Sequence, residues 1–177
     1  MKIIKHLTLA ALAALAVTLL FQTPTTRADD KGQKVHENNG AATLTFTKWI
    51  TLPFPPPSGN FANLEGIVGG DVGDGTMTGE AFTAVLQPDG VTTIVDAEYH
   101  FHGSKHSLTF RFQAVQTRFN NGGVITVSGV ITGVVTDGWL KGNVVEGAYT
   151  RYACTKGANG FCFDGILEIK KGSKDKD

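Results

Sequence analysis

Three groups of residues have the types and spacing that chemistry requires. The first is Tyr99-His100-Phe101-His102, with His106 close behind. In a strand, H-x-H spacing puts both imidazoles on one face, a common metal-ligand arrangement. Glu80 and Glu98 would join His100 and His102 there as weak candidate ligands. The set lacks the later Glu and distant His of a cupin-like centre, so no metal is expected, and an outer, solvated face accounts for these side chains. The second group is Glu146 with Gln116, Arg118, Thr150 and Tyr152. A carboxylate held among apolar side chains is desolvated and its pKa rises, the condition for a general acid or base. A neighbouring Arg118 would oppose that shift, and a structural network closing one end of the fold is the plainer reading. The third group is Cys154 and Cys162. With no C-x-x-C and no nearby His, this close pair reads as a disulfide in an oxidising compartment. Closing so short a loop stabilises by roughly 2–3 kcal/mol in the chain-entropy model. No G-x-S-x-G, P-loop or dinucleotide fingerprint occurs, and no cofactor is expected.

The elements that must hold these groups are strands. Between residues 42 and 170 no helical period is sustained; β-branched and aromatic runs alternate with turn residues. Asp137-Gly138 reads as a two-residue type I′ turn. It sets Val135 opposite Leu140, Ile131 opposite Val144 and Val127 opposite Ala148, and it carries Glu146 into the apolar row opposite Gly129. Asn121-Gly122, a second such turn, sets Phe112 opposite Ile131 and Phe110 opposite Gly133. Gly103-Ser104 sets Tyr99 opposite Leu108 and Ala97 opposite Phe110. Pro88-Asp89-Gly90 sets Ala81 opposite Ala97, Gly79 opposite Tyr99 and Met77 opposite Phe101. These registers gather the apolar residues of successive strands on one face, which a one-residue slip would scramble. They also leave a tension. Direct pairing of Cys154 with Cys162 puts Phe163 and Leu167 on the wrong face, so a bulge, or diagonal cysteines, is expected.

The fold class is therefore all-β, an antiparallel up-and-down barrel of about eight strands. The strands are expected near 43–51, 64–70, 75–87, 91–102, 105–119, 124–136, 139–153 and 161–169. The interior of such a barrel either fills with side chains or holds one small ligand. Gly79, Gly129, Gly133 and Gly142 fall on its inner face, where a curved sheet needs room. Two loops control access. Leu52–Asn60 is a stiff, Pro-rich connection whose Phe54 folds over an opening. Gly69–Gly75 has the acidic spacing of a weak calcium loop without its ligand set, and reads as a tight turn.

The chain begins as an exported protein does. Lys2 and Lys5 precede an uncharged apolar run, Leu7–Phe21, and then small polar residues ending Thr26-Arg27-Ala28. That is the layout of a secretory signal cleaved after Ala28, with a run of about 15 residues against the ~20 needed to span a bilayer. The expected division is a signal over 1–28, a loose arm over 29–41, the barrel over 42–170 and a solvated tail over 171–177. Cleavage removes three of the 16 basic residues and none of the 16 acidic ones, which leaves the mature chain slightly acidic. It carries no nucleic-acid or membrane-surface footprint.

A Gly-rich meander of this kind behind a signal resembles the calycin-like barrels, and most closely the allene oxide cyclase and dirigent group. Three stretches carry the resemblance: Gly66–Asp71 (GIVGGD), Gly75–Glu80 (GTMTGE), and the recurrent glycines of Gly129–Gly147 with Asp137-Gly138-Trp139-Leu140-Lys141-Gly142. It implies a barrel with an apolar pocket, in a group whose members steer reactive or hydrophobic small molecules. No catalytic motif matches, so no catalytic residue is carried over.

Three readings follow. In the first, the secreted barrel binds a small hydrophobic molecule in a lumen lined by Met77, Tyr99, Phe101, Leu108, Phe110, Phe112, Gln116, Arg118, Ile131 and Tyr152. In the second it is an isomerase or cyclase acting on a hydrophobic substrate, with Glu146 as acid or base. In the third it is a surface interaction module with a filled core.

Overall fold

The structure is a computed structural model that describes residues 41–172. The expected signal, nearly all of the arm, and the tail from residue 173 lie outside the described residues. Eight strands run in chain order: β1 (Ala42–Ile50), β2 (Ala62–Gly70), β3 (Gly75–Leu86), β4 (Thr92–Gly103), β5 (Ser107–Asn121), β6 (Val124–Gly138), β7 (Val144–Ala153) and β8 (Phe161–Lys170). Each pairs antiparallel with the next, and β1 pairs with β8, which closes the barrel. The described residues contain no helix.

Closure follows from alternation. In β1 the even positions Ala42, Leu44, Phe46 and Ile50 are buried, while Thr43 and Thr45 face out. In β8 the inward set is Phe163, Gly165, Leu167 and Ile169. The pairs Leu44–Leu167 and Ala42–Ile169 join the two into one core. Full burial of one Leu, Ile or Phe side chain contributes about 1.5–3 kcal/mol, so only the closed arrangement removes both faces' apolar rows from water.

The registers match the turns to different degrees. Met77–Phe101, Gly79–Tyr99 and Ala81–Ala97 pair as expected, up to a bulge at Phe82. The β4–β5 and β5–β6 ladders are each displaced by two residues: Tyr99 meets Phe110, and Phe112 meets Gly133. An even displacement keeps every side chain on its face. The β5–β6 turn is Gly122-Gly123, where both residues have positive φ, +60° and +91°, as a type I′ turn demands.

The β6–β7 register corrects the expectation. Ile131 pairs with Gly147, and Gly129 with Tyr149, a displacement of three that turns β7 over. Asp137-Gly138 is not a two-residue turn. Gly138 still pairs with Leu108 on β5, and the hairpin closes lower down, through the bond from the Val135 amide to the Asn143 carbonyl (2.9 Å). Between them Trp139 and Leu140 pack on the core rather than continue a strand. Trp139 stacks on His106 with ring centroids 4.0 Å apart. Gly142 therefore belongs to this loop, at φ +84°, and not to the inner face. The correction also removes the difficulty at the cysteines. Cys162 pairs with Tyr152, so the Cys154–Cys162 disulfide is diagonal across the ladder, as expected, and Phe163 and Leu167 face inward without a bulge.

The two ends differ. At one end Val72, fully buried in the β2–β3 turn, joins Trp139 and Leu140 as a floor. Gly69–Gly75 is indeed a tight turn, and Asp71 accepts the Thr43 amide at 2.8 Å. At the other end the β1–β2, β3–β4, β5–β6 and β7–β8 connections surround an opening edged by exposed Leu86, Val91, Phe119, Val124 and Ile125.

Candidate functional site

Three glycines shape the open half of the lumen. A Cβ on Gly79 would meet the Tyr99 ring at 2.5 Å, one on Gly129 the Tyr149 ring at 2.2 Å, and one on Gly165 the Phe46 ring at 2.3 Å. Each ring is the cross-strand partner of its glycine. The missing side chains let the rings lie flat against the wall and converge.

They converge on Lys48. Its position in β1 is an inward one, and the residue is 6% exposed. Its Nζ lies 4.6 Å from the ring centroids of both Tyr99 and Tyr149, 5.2 Å from Phe163 and 5.8 Å from Phe46. Nζ donates a hydrogen bond to Tyr99 Oη, and no carboxylate pairs with it among the described residues. An ammonium carries three donors and is strongly hydrated in water. Here one oxygen and four ring faces replace that hydration, and burial pushes the amine down from 10.5 to about 7. The ring faces attract the cation, by ~2 kcal/mol when desolvated, which is less than the several kcal/mol lost with its water. The Tyr99 and Tyr149 hydroxyls are pushed up, chiefly by the same burial.

Above Lys48 lie the rest of the polar inward residues. Tyr149 Oη donates to Gln116 Oε1 at 3.1 Å. Gln116 lines two cavities. The inner one, about 50 Å³, lies against Lys48, Phe61, Tyr99, Tyr149 and Phe163. The outer one, about 440 Å³, opens at the mouth and is lined by Leu86, Val91, Thr93, Arg118, Ile125, Val127, Arg151 and Phe161. Arg151 lies over the Phe161 ring at 4.1 Å. Its pKa is lowered, first by burial and then by the charge of Arg118. Neither arginine has an ion-pair partner among the described residues, and no Asp or Glu lines either cavity. The disulfide and the bond from the Ala158 amide to the Ile50 carbonyl (2.8 Å) hold the β7–β8 loop beside this mouth. In the β1–β2 loop Phe54 packs edge-on against Phe61, 5.7 Å between centroids.

The residues anticipated from sequence divide into three sets. Met77, Tyr99, Phe101, Leu108, Phe110, Phe112 and Ile131 all face inward and are buried. Apart from Tyr99 they line neither cavity; the rings of Tyr99, Phe101, Phe110 and Phe112 pack on one another at 4.5–6.4 Å and fill the floor half. Gln116 and Arg118 reach the mouth. Glu146, Thr150 and Tyr152 do not, because the turned-over β7 puts them outside. Glu146 is exposed and accepts a hydrogen bond from Lys170 Nζ at 2.8 Å, so it lacks the desolvation that acid–base work inside the barrel would need. Tyr149 and Arg151 take the inward places instead.

His100 and His102 stand outside the wall, while His106 lies at the floor against Trp139. Glu80 pairs with Glu98 and His100 with Thr78, as the turns implied. His100 Nδ1 is hydrogen-bonded to Thr109 Oγ1 at 3.0 Å, and Asn60 donates to Glu80 at 2.9 Å. No three His, Cys, Asp or Glu side chains converge on a metal-sized site among the described residues. Asp96 accepts from Arg111 at 2.9 Å as an exposed pair. A further hollow of about 860 Å³ lies on the outside of the wall, among outward residues such as Thr45, Ile67, Val130 and Ile166.

The sequence reading missed Lys48, although the signal for it was present. β1 reads ATLTFTKWI, apolar at every inward position except one, and alternation alone assigns that lysine to the apolar face. Arg151 and Tyr149 carried no such signal, because both faces of β7 mix apolar and polar residues. No protein-family model, no curated protein and no solved structure matches the chain.

Proposed function

We propose that this barrel binds a small apolar molecule bearing an anionic group, taken head-first at the open end. One observation carries the reading: the 440 Å³ mouth holds Arg118, Arg151 and Gln116 and is lined by no carboxylate. Two cations facing each other without a counter-charge favour a bound anion, and guanidinium–carboxylate bonds are strong and directional. The volume falls within the ~300–1,000 Å³ of small-molecule sites. The exposed apolar rim, with Leu86, Val91, Phe119 and Val124, supplies cover for a tail. The expectation of a lumenal ligand thus moves from the floor half, which is packed, to the mouth. The leader and the disulfide support a place outside the cytosol. The likeness to allene oxide cyclase and dirigent barrels, with their hydrophobic small molecules, agrees with this reading.

The test is a titration of the mature protein with dodecanoate and with dodecanol, read by displacement of the fluorescent anion anilinonaphthalene sulfonate. Dodecanoate should bind at least tenfold more tightly than the alcohol. Arg118→Gln with Arg151→Gln should remove that preference, since hydrogen bonds to charged groups contribute about 1.5–3 kcal/mol each. Equal affinity for acid and alcohol, or an unchanged double variant, would refute the assignment.

A further inference from the structure

We propose that Lys48 is a nucleophilic amine that captures small aldehydes as an imine inside the barrel. The inference uses the inner cavity and does not depend on an anionic ligand at the mouth. Lys48 Nζ borders about 50 Å³ of space walled by Phe61, Tyr99, Tyr149 and Gln116. A cavity needs about 10–15 Å³ of such space to hold one water, so this one has room for a few waters' worth of ligand, a carbonyl group on a two- or three-carbon chain. Gln116 borders both this cavity and the mouth, so the two lie side by side.

The surroundings favour the free amine. Aromatic rings, a phenol and an amide surround Lys48, with no carboxylate to hold its proton, and at about 7 its titration leaves half of it unprotonated in neutral solution. Surface lysines are in the opposite condition. Lys170 is bonded to Glu146 and Glu168, which raise its pKa, and Lys141 lies near Asp137. Desolvation in an apolar pocket is a recognised way to activate a lysine toward carbonyl carbon. The step balances without a redox partner. The Nζ lone pair forms the C–N bond, the amine nitrogen gives up both of its protons, and the carbonyl oxygen takes up two and leaves as water. Tyr99, hydrogen-bonded to Nζ and kept neutral by burial, is placed to pass a proton between nitrogen and oxygen.

Treating the mature protein with propanal and cyanoborohydride at pH 7 traps any imine as a propyl-lysine, which peptide mass mapping locates. An ordinary lysine at 10.5 has a free-base fraction on the order of a thousandfold smaller at this pH. Lower basicity offsets part of that advantage, and Lys48 should label at least tenfold faster than Lys141 or Lys170. The preference should fade below pH 6. Lys48→Met should remove this adduct and leave surface labelling unchanged. Tyr99→Phe should slow it several-fold, with the fold checked by circular dichroism. Labelling of the surface lysines with Lys48 untouched until urea is added would overturn the proposal. So would labelling of Lys48 no faster than theirs.

Discussion

Replacing Lys48 with Met asks how much folding free energy the buried amine costs. Lysine titrates at 10.5 in water and at about 7 in the barrel. At about 1.4 kcal/mol per pKa unit, folding at pH 7 against that difference costs about 4 kcal/mol. The sign follows from proton counts. Between pH 7 and 10.5 the unfolded chain holds the lysine proton and the folded chain does not, so stability rises with pH across that window and is lost as pH falls toward 7. Methionine has a similar length and makes favourable contacts with aromatic rings, but it leaves the Tyr99 hydroxyl without its partner, which costs about 1–3 kcal/mol. The variant should therefore be more stable than the parent at pH 7 by roughly 1–3 kcal/mol, a rise of several degrees in Tm for a domain this size. The sharper readout is the pH dependence. Urea melts of both proteins at pH 7 and 9.5 should show the parent gaining about 3 kcal/mol relative to the variant. Higher pH is avoided, because the raised pKa values of Tyr99 and Tyr149 mean that their stabilising contribution is lost above about pH 10. Parallel curves for parent and variant from pH 7 to 9.5 would refute the reasoning, since they would mean that Lys48 keeps its proton when buried.

Other substitutions test other parts of the structure. Glu146→Gln should change stability by less than about 0.5 kcal/mol, because exposed ion pairs are weak, and should leave ligand affinity unchanged; a larger effect in either assay would put the side chain back inside the barrel. Gly129→Ala drives a methyl into the Tyr149 ring and should cost about 1–3 kcal/mol by overpacking, measured in urea melts. Removing both cysteines as Cys154→Ala with Cys162→Ala should cost roughly 2–3 kcal/mol, and by freeing the β7–β8 loop beside Arg151 should also weaken dodecanoate binding. A double variant that melts as the parent does would show the loop to be held by its other contacts.

Much of this protein is set by short-range rules that a sequence states directly. Period-two alternation gives strands, and their number and order give an up-and-down barrel, because each turn joins neighbours. Wherever the ladder moved by two residues, as between β4 and β5 and between β5 and β6, the inward list survived, since a side chain's face depends on parity alone. The same parity points to Lys48 in β1, which the sequence reading passed over. The β6–β7 connection was different in kind. Asp137-Gly138 is a good local turn signal, but Trp139 and Leu140 gain more by closing the floor against the core and His106 than by pairing across a tight hairpin. That packing lengthens the loop, moves the register by an odd number and turns β7 over. Glu146 and Tyr152 go to solvent, and Tyr149 and Arg151 come into the lumen. Sequence alone determined the strands and the barrel and held, unread, the inward parity of Lys48, because alternation is local. Only the tertiary structure decided which face of β7 meets that lysine, and so that the open end is cationic, because that choice rests on packing at the opposite end of the barrel.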